Sequence, residues 1–119
     1  QLMRMQGIAD MQAVSADELG AYVELLKRGD GGKAFLRIMR SFETTPEKQA
    51  LYRSTLQDAP HPVQVVWGDR DPALKVDTFG DVARQAAGLA MIHRLPGKHF
   101  LQEDQAESVA QLIANLVTT

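Results

Sequence analysis

Two loops of the sequence carry residue types that general acid–base chemistry requires. The first, GDRDPAL, contains Asp69 and Asp71, and the second, PGKHFLQED, contains His99. A carboxylate that accepts the Nδ1–H of an imidazole fixes its tautomer and stabilises the imidazolium that forms when Nε2 takes a proton. We therefore interpret Asp71 and His99 as a candidate acid-oriented base, and Asp69 as a solvent-facing or turn residue. The competing interpretations are a turn-forming aspartate before Pro72 and a loop histidine without a task.

Each of these loops follows a short apolar run that predicts a β-strand. Residues 63–67, VQVVW, are apolar almost throughout, which is typical of a strand buried on both faces of a parallel sheet. Residues 89–95, LAMIHRL, form the second run, and residues from about 76 to 88 predict a helix between the two strands. A right-handed crossover makes such strands parallel, so both loops leave one edge of the sheet. Ligands and catalytic groups of open α/β sheets lie outside that edge.

Three short helices are predicted over residues 15–57. Ser15 and Glu18 form a capping box at the start of the first, and Gly29 supplies its stop. The second helix follows GDGG, and Thr45 with Pro46 begins the third.

A last helix is predicted to begin at Asp104 as N-cap, with Glu107 at the third helical position and an apolar stripe behind it. The first fourteen residues predict a loop or irregular helix packed beneath another part of the protein, through Met3, Met5, Ile8, Met11 and Val14. The order is therefore a helical segment over 1–58 followed by strand–helix–strand–helix over 59–119. This order predicts an α/β fold with a parallel sheet.

Composition excludes several classes of function. The 119 residues carry 13 basic and 15 acidic side chains, for a net charge of −2, so nothing attracts the chain to nucleic acid or an anionic membrane. No apolar run approaches the ~20 residues of a membrane span, and no cluster has metal-ligand spacing. The absence of cysteine excludes disulfides and favours the cytoplasm.

The segment PVQVVWGDRDPAL, together with LPGKHFLQED, resembles the C-terminal end of α/β-hydrolase-fold enzymes. The closest branch contains haloalkane dehalogenases, epoxide hydrolases and related esterases. The resemblance covers roughly residues 60–117 and implies that Asp71 is the triad acid and His99 the triad base, with no cofactor. It implies further that this chain is the C-terminal portion of such a sheet, preceded by a helical cap over residues 1–58.

The same resemblance implies a small apolar or ester-type substrate. Positions such as Leu74 and Phe100 often line the pocket of similar enzymes, although ordinary packing explains them equally well. Phe35, Met39 and Phe42 share one helical face of the expected cap and are candidates for an apolar substrate cavity. Burial in a core is the preferred alternative for these three side chains.

The nucleophile that such an enzyme requires is missing from the sequence. No Gly-x-Ser-x-Gly or Gly-x-Asp-x-Gly elbow occurs in the 119 residues. We therefore expect a fragment that lacks its N-terminal half, as the start at Gln1 and the two-strand pattern also suggest, and that is inactive alone. The alternative is a non-catalytic module that pairs a strand edge, such as that of residues 63–67, with a partner chain.

Overall fold

The computed structural model describes residues 6–117, so Met3 and Met5 of the predicted N-terminal packing lie outside the described residues. Helices dominate these residues, and strand is limited to two segments of three residues each. The elements in chain order are α1 (Ala16–Lys27), α2 (Lys33–Arg40), α3 (Pro46–Gln57), β1 (Val66–Gly68), a π-helical segment (Val76–Gly80), α4 (Asp81–Ala86), β2 (His93–Leu95), α5 (Leu101–Asp104) and α6 (Ala106–Val117).

The prediction of an α/β fold, in the form of the C-terminal portion of an α/β-hydrolase sheet, is wrong. The structure is mostly helical, and its sheet has only two strands. β1 and β2 pair in parallel, with Val66 opposite His93 and Gly68 opposite Leu95. Hydrogen bonds between the two segments extend from Val65 O, which accepts the His93 N–H, to Gly97 O, which accepts the Arg70 N–H. Within residues 6–117 no third segment pairs with either strand, so no larger sheet is built.

The helix starts depend on local hydrogen bonds that the sequence predicts correctly. Ser15 Oγ accepts the Glu18 N–H over 3.2 Å, and Glu18 Oε2 accepts the Ser15 N–H over 2.8 Å. This capping box satisfies two backbone donors at the start of α1. Thr45 Oγ1 accepts the Lys48 N–H over 3.3 Å, and Pro46 is the first residue of α3. Both predicted N-caps are confirmed.

The predicted start of the last helix is wrong. Asp104 ends α5 instead of capping α6, which begins at Ala106. Its carboxylate accepts the backbone N–H groups of Ala9 and Asp10 instead. The predicted crossover helix is also divided, since the π-helical segment precedes a short α4.

The main buried cluster lies between the N-terminal segment and α1. Ile8 is fully buried, and Val14 and Leu19 complete the cluster. Met11 and Phe100 pack against it while remaining partly exposed. The N-terminal segment is therefore packed as predicted over residues 8–14. It contacts Phe100, the residue that follows His99 in the chain. Within residues 6–117, no helix is both long and apolar enough to cross a membrane.

Candidate functional site

The loops after β1 and β2 bring Asp71 and His99 into direct contact. His99 Nδ1 lies 2.8 Å from Asp71 Oδ2, across 28 positions of sequence. The two loops stay side by side because the parallel hydrogen bonding continues beyond the strands. The Asp69 N–H donates to Leu95 O over 2.9 Å, and the Arg70 N–H donates to Gly97 O over 3.0 Å. The proximity of the two side chains therefore follows from parallel strand pairing.

The carboxylate of Asp71 is oriented by its own loop. Asp71 Oδ1 accepts the N–H groups of Ala73 and Leu74 over 2.8 and 2.9 Å, which leaves Oδ2 for His99. The indole Nε1–H of Trp67 donates to Leu74 O over 2.8 Å and fixes the far end of the turn. Each oxygen of Asp71 thus has a separate task. One oxygen holds the turn, and the other faces the imidazole.

Asp71 is the only buried acidic or basic residue among residues 6–117, with a side chain that is 4% exposed. Burial alone would raise the pKa of its carboxyl group. The hydrogen bonds from the Leu74 N–H, the His99 ring and the Ala73 N–H outweigh this effect and lower the pKa below its ordinary value. Asp71 is therefore ionised near neutral pH and can only accept hydrogen bonds. It follows that His99 Nδ1 carries the proton between them, which leaves Nε2 as the basic nitrogen when the ring is neutral.

The ring of His99 combines a fixed Nδ1 with access to solvent. Its side chain is 38% exposed, whereas its partner Asp71 is almost fully covered. The ring of Phe100 packs edge-on against the imidazole, with centroids 5.0 Å apart and an interplanar angle of 83°. The imidazole is therefore held on one side and open on another, as a base that takes a proton from a second molecule must be.

Gly68 allows the two loops to approach each other. A Cβ at this position would clash with the carbonyl oxygen of Lys98 and lie 2.7 Å from that of Gly97. Both obstacles are backbone atoms of the loop that carries His99. They cannot move without displacing that loop from Asp71.

We expect Gly68→Ala to destabilise the fold by roughly 1–3 kcal/mol, because the new methyl group forces the two loops apart. Urea unfolding followed by circular dichroism measures this change. Gly20→Ala in α1 is a suitable control, since no atom lies within 4 Å of its Cβ position and alanine should stabilise the helix by about 1 kcal/mol. Equal stability of the Gly68→Ala protein and the original would contradict the close approach.

The structure places the other candidate residues differently. Leu74 is partly buried and contributes its backbone to the Asp71 turn, while Phe100 packs against both His99 and the main buried cluster. The predicted cavity residues of α2 and its end are 42%, 50% and 68% exposed in the order Phe35, Met39 and Phe42. The preferred expectation of core burial is therefore wrong for these three side chains.

The larger cavities lie away from the Asp71–His99 pair. A groove of 590 Å³ runs between β2 and α6 and is lined by residues that include His93, Glu107 and Leu112. It contains neither Asp71 nor His99, and it is open to solvent. A proton-transfer site is defined by its hydrogen bonds and not by the volume of an open groove, so the Asp71–His99 pair remains the candidate site.

The serine side chains of the described residues have structural roles where they form hydrogen bonds. Ser15 caps α1, the hydroxyl of Ser41 donates to Ile38 O at the end of α2, and that of Ser54 donates to Leu51 O within α3. Ser108 lies exposed on α6. Within the part of the chain that the structure describes, the hydrogen-bond partner of the His99 ring is Asp71. Among residues 6–117, no serine hydroxyl forms a hydrogen bond with the His99 ring.

Residues 6–117 contain no group of three histidine, cysteine or acidic side chains that could hold a metal ion. Comparisons of the chain with protein-family models, curated proteins and solved structures find no match.

Proposed function

We propose that Asp71 and His99 are the acid and the base of a hydrolase that cleaves an ester, an epoxide or a carbon–halogen bond. The observation that carries this proposal is the 2.8 Å contact between His99 Nδ1 and the buried, ionised carboxylate of Asp71. Buried carboxylates with lowered pKa values also occur in purely structural ion pairs. A second feature, the solvent access of the imidazole, favours catalysis over a structural ion pair.

The chemistry assigned to the pair is proton transfer through His99 Nε2. With a serine nucleophile, Nε2 takes the hydroxyl proton as oxygen attacks the substrate carbon, and later returns it to the leaving group. With an aspartate nucleophile, its carboxylate oxygen attacks the substrate carbon, and the halide leaves or the epoxide C–O bond opens, to give an ester. Nε2 then takes a proton from the water that hydrolyses this ester. In both cases Asp71 stays ionised and stabilises the imidazolium ring.

Under this proposal the nucleophile comes from outside residues 1–119, either from another segment of a longer protein or from another chain. The sequence has no nucleophile elbow, and among the described residues the side chain that forms a hydrogen bond with the His99 ring is Asp71. This chain alone is therefore inactive. The substrate is small and apolar or ester-type, the reaction uses no cofactor, and the cysteine-free sequence favours a cytoplasmic location.

A second candidate function is a non-catalytic module that binds a partner chain. The two-stranded sheet pairs β1 with β2 alone among residues 6–117, so the other edge of β1 is open to a further strand. Large apolar side chains are also exposed on the helices, among them Leu25, Ile38 and Tyr52. Unpaired strand edges and exposed apolar patches are recurrent binding features.

A test of the proposal begins with the intact mass of the protein purified from its natural source. We expect a second polypeptide segment that contains Gly-x-Ser-x-Gly or Gly-x-Asp-x-Gly, in covalent or noncovalent association. The assembly should turn over a p-nitrophenyl ester, an epoxide or a haloalkane, while the 119-residue chain of 13.1 kDa should not.

The outcome also separates the two candidates. A homogeneous 13.1 kDa species without turnover of any of the three substrates would support the binding module and contradict the hydrolase.

A further inference from the structure

The loop that carries His99 is held by residues 7–10 as well as by Asp71. The Phe100 N–H donates to Gly7 O over 2.7 Å, directly after His99 in the chain. Gly7 also lies against the Phe100 ring so closely that a Cβ at this position would be 2.5 Å from Cδ2. The neighbouring Ile8 is fully buried, and Phe100 packs against the cluster it belongs to. Phe100, whose ring packs against the imidazole of His99, is thus enclosed by residues 7–10, which are distant from it in the sequence.

Asp104 fixes this segment in place. Its Oδ2 accepts the N–H groups of both Ala9 and Asp10, each over 2.7 Å, across more than 90 positions of sequence. Short hydrogen bonds from amides to a carboxylate are charge-assisted and stronger than neutral ones. The two bonds therefore tie the end of α5 to residues 9 and 10, and α5 begins one residue after Phe100.

The second oxygen of Asp104 shows that this carboxylate is constrained. Oδ1 is buried and has no hydrogen-bond partner within residues 6–117. Burial of an unsatisfied acceptor costs free energy, so a carboxylate that served stability alone would be poorly placed here. The position of the Asp104 carboxylate is explained by the hydrogen bonds that it accepts from the N–H groups of Ala9 and Asp10.

We propose that Asp104 is a positioning residue for His99. By holding residues 9 and 10, it keeps Gly7 and Ile8 against Phe100, and Phe100 keeps the imidazole edge where Nδ1 meets Asp71. A catalytic benefit of this arrangement rests on the function proposed above, but the positioning itself can be measured without turnover.

The test is a comparison of Asp104→Ala and Asp104→Asn by NMR of the 119-residue chain labelled with ¹⁵N. The readout is the His99 Nδ1–H resonance, assigned by its loss in His99→Gln. Asp104→Ala should lose this resonance to solvent exchange, because Phe100 and the imidazole become mobile. Asp104→Asn should retain it, since a single amide oxygen can accept both N–H groups as Oδ2 does.

The matched control is Glu103→Gln. It removes one acidic charge from the adjacent residue of α5, where Glu103 Oε1 accepts a hydrogen bond from the Tyr22 hydroxyl over 2.9 Å. The His99 resonance should be unchanged in this variant. If it is lost there as well, the effect is one of general α5 destabilisation and the role of Asp104 is overturned.

Two further outcomes would overturn the proposal. One is a folded Asp104→Ala protein that keeps the resonance, and the other is equal loss in the Asn and Ala variants. Where Asp104→Ala does not fold, Gly7→Ala decides, because its methyl group displaces the Phe100 ring while Asp104 stays intact. A folded Gly7→Ala protein should lose the resonance, and retention would contradict the mechanism. Since activity is not measured, failure here leaves the hydrolase proposal standing, and the reverse also holds.

Discussion

Replacement of His99 by alanine is expected to lower kcat/KM of the active assembly by roughly 10⁴-fold, because the general base is removed. The fold should survive, since the ring is 38% exposed and Asp71 keeps its two hydrogen bonds from the backbone. Steady-state kinetics with a p-nitrophenyl ester, an epoxide and a haloalkane measure the loss. Unfolding curves of the same preparations show that the loss is chemical.

The matched control for this change is His61→Ala, which removes an exposed histidine next to Pro62. Its kcat/KM should stay within a factor of two of the original, a difference of about 0.4 kcal/mol or less. If His99→Ala retained the turnover of the His61→Ala control, the assigned role of His99 would be excluded.

The features that the sequence predicts correctly depend on neighbours in the chain. The caps at Ser15 and Thr45 each join residues three positions apart, so type and spacing suffice to place them. Asp71 and His99 are 28 positions apart, and their approach was inferred from the parallel course of two strands. That inference requires only that a few residues of the two strands pair in parallel, and three residues of each strand do so.

The features that the sequence did not predict depend on partners that a pattern cannot show. Residues 63–67 have the composition of a longer strand, but the partner strand is short, so β1 spans only Val66–Gly68 and the chain is mostly helical. Asp104 has the local pattern of an N-cap, yet it binds amides more than 90 positions away. The helical period of α2 likewise identifies an apolar face without stating what covers it.

The contact between Asp71 and His99 is compatible with catalysis and with a structural ion pair, because both need a carboxylate that keeps one imidazole nitrogen protonated. Catalysis requires that Nε2 is free to take a proton, whereas a structural ion pair does not. Substitutions that change the tautomer without changing the shape of the site therefore separate them best.

Asp71→Asn is such a substitution, and we expect it to lower kcat/KM of the active assembly by about 10³–10⁴-fold. The amide oxygen can keep the two hydrogen bonds from Ala73 and Leu74, which places the amide nitrogen opposite His99. That nitrogen donates a hydrogen bond, so Nδ1 must accept it and the proton of the ring moves to Nε2. The base is then blocked although every heavy atom stays in place.

The same variant should change how stability depends on pH. The pKa of Asp71 lies below its ordinary value of 3.8 in the folded protein, so its carboxylate stabilises the fold above that pH. This contribution is lost as the pH falls through the folded-state pKa. Asp71→Asn should therefore show a smaller loss of unfolding free energy between about pH 5 and pH 2, as measured by urea titrations.

Asp69→Asn is the control for both measurements, because it changes an exposed acid of the same loop. It should preserve turnover and the acid sensitivity of the original protein. A structural ion pair predicts that Asp71→Asn alters the pH dependence of stability but not turnover, while a catalytic pair requires both to change. Loss of turnover in a folded Asp71→Asn protein, while Asp69→Asn keeps its turnover, would assign the carboxylate to the chemistry, because the tautomer of His99 changes only in the first variant.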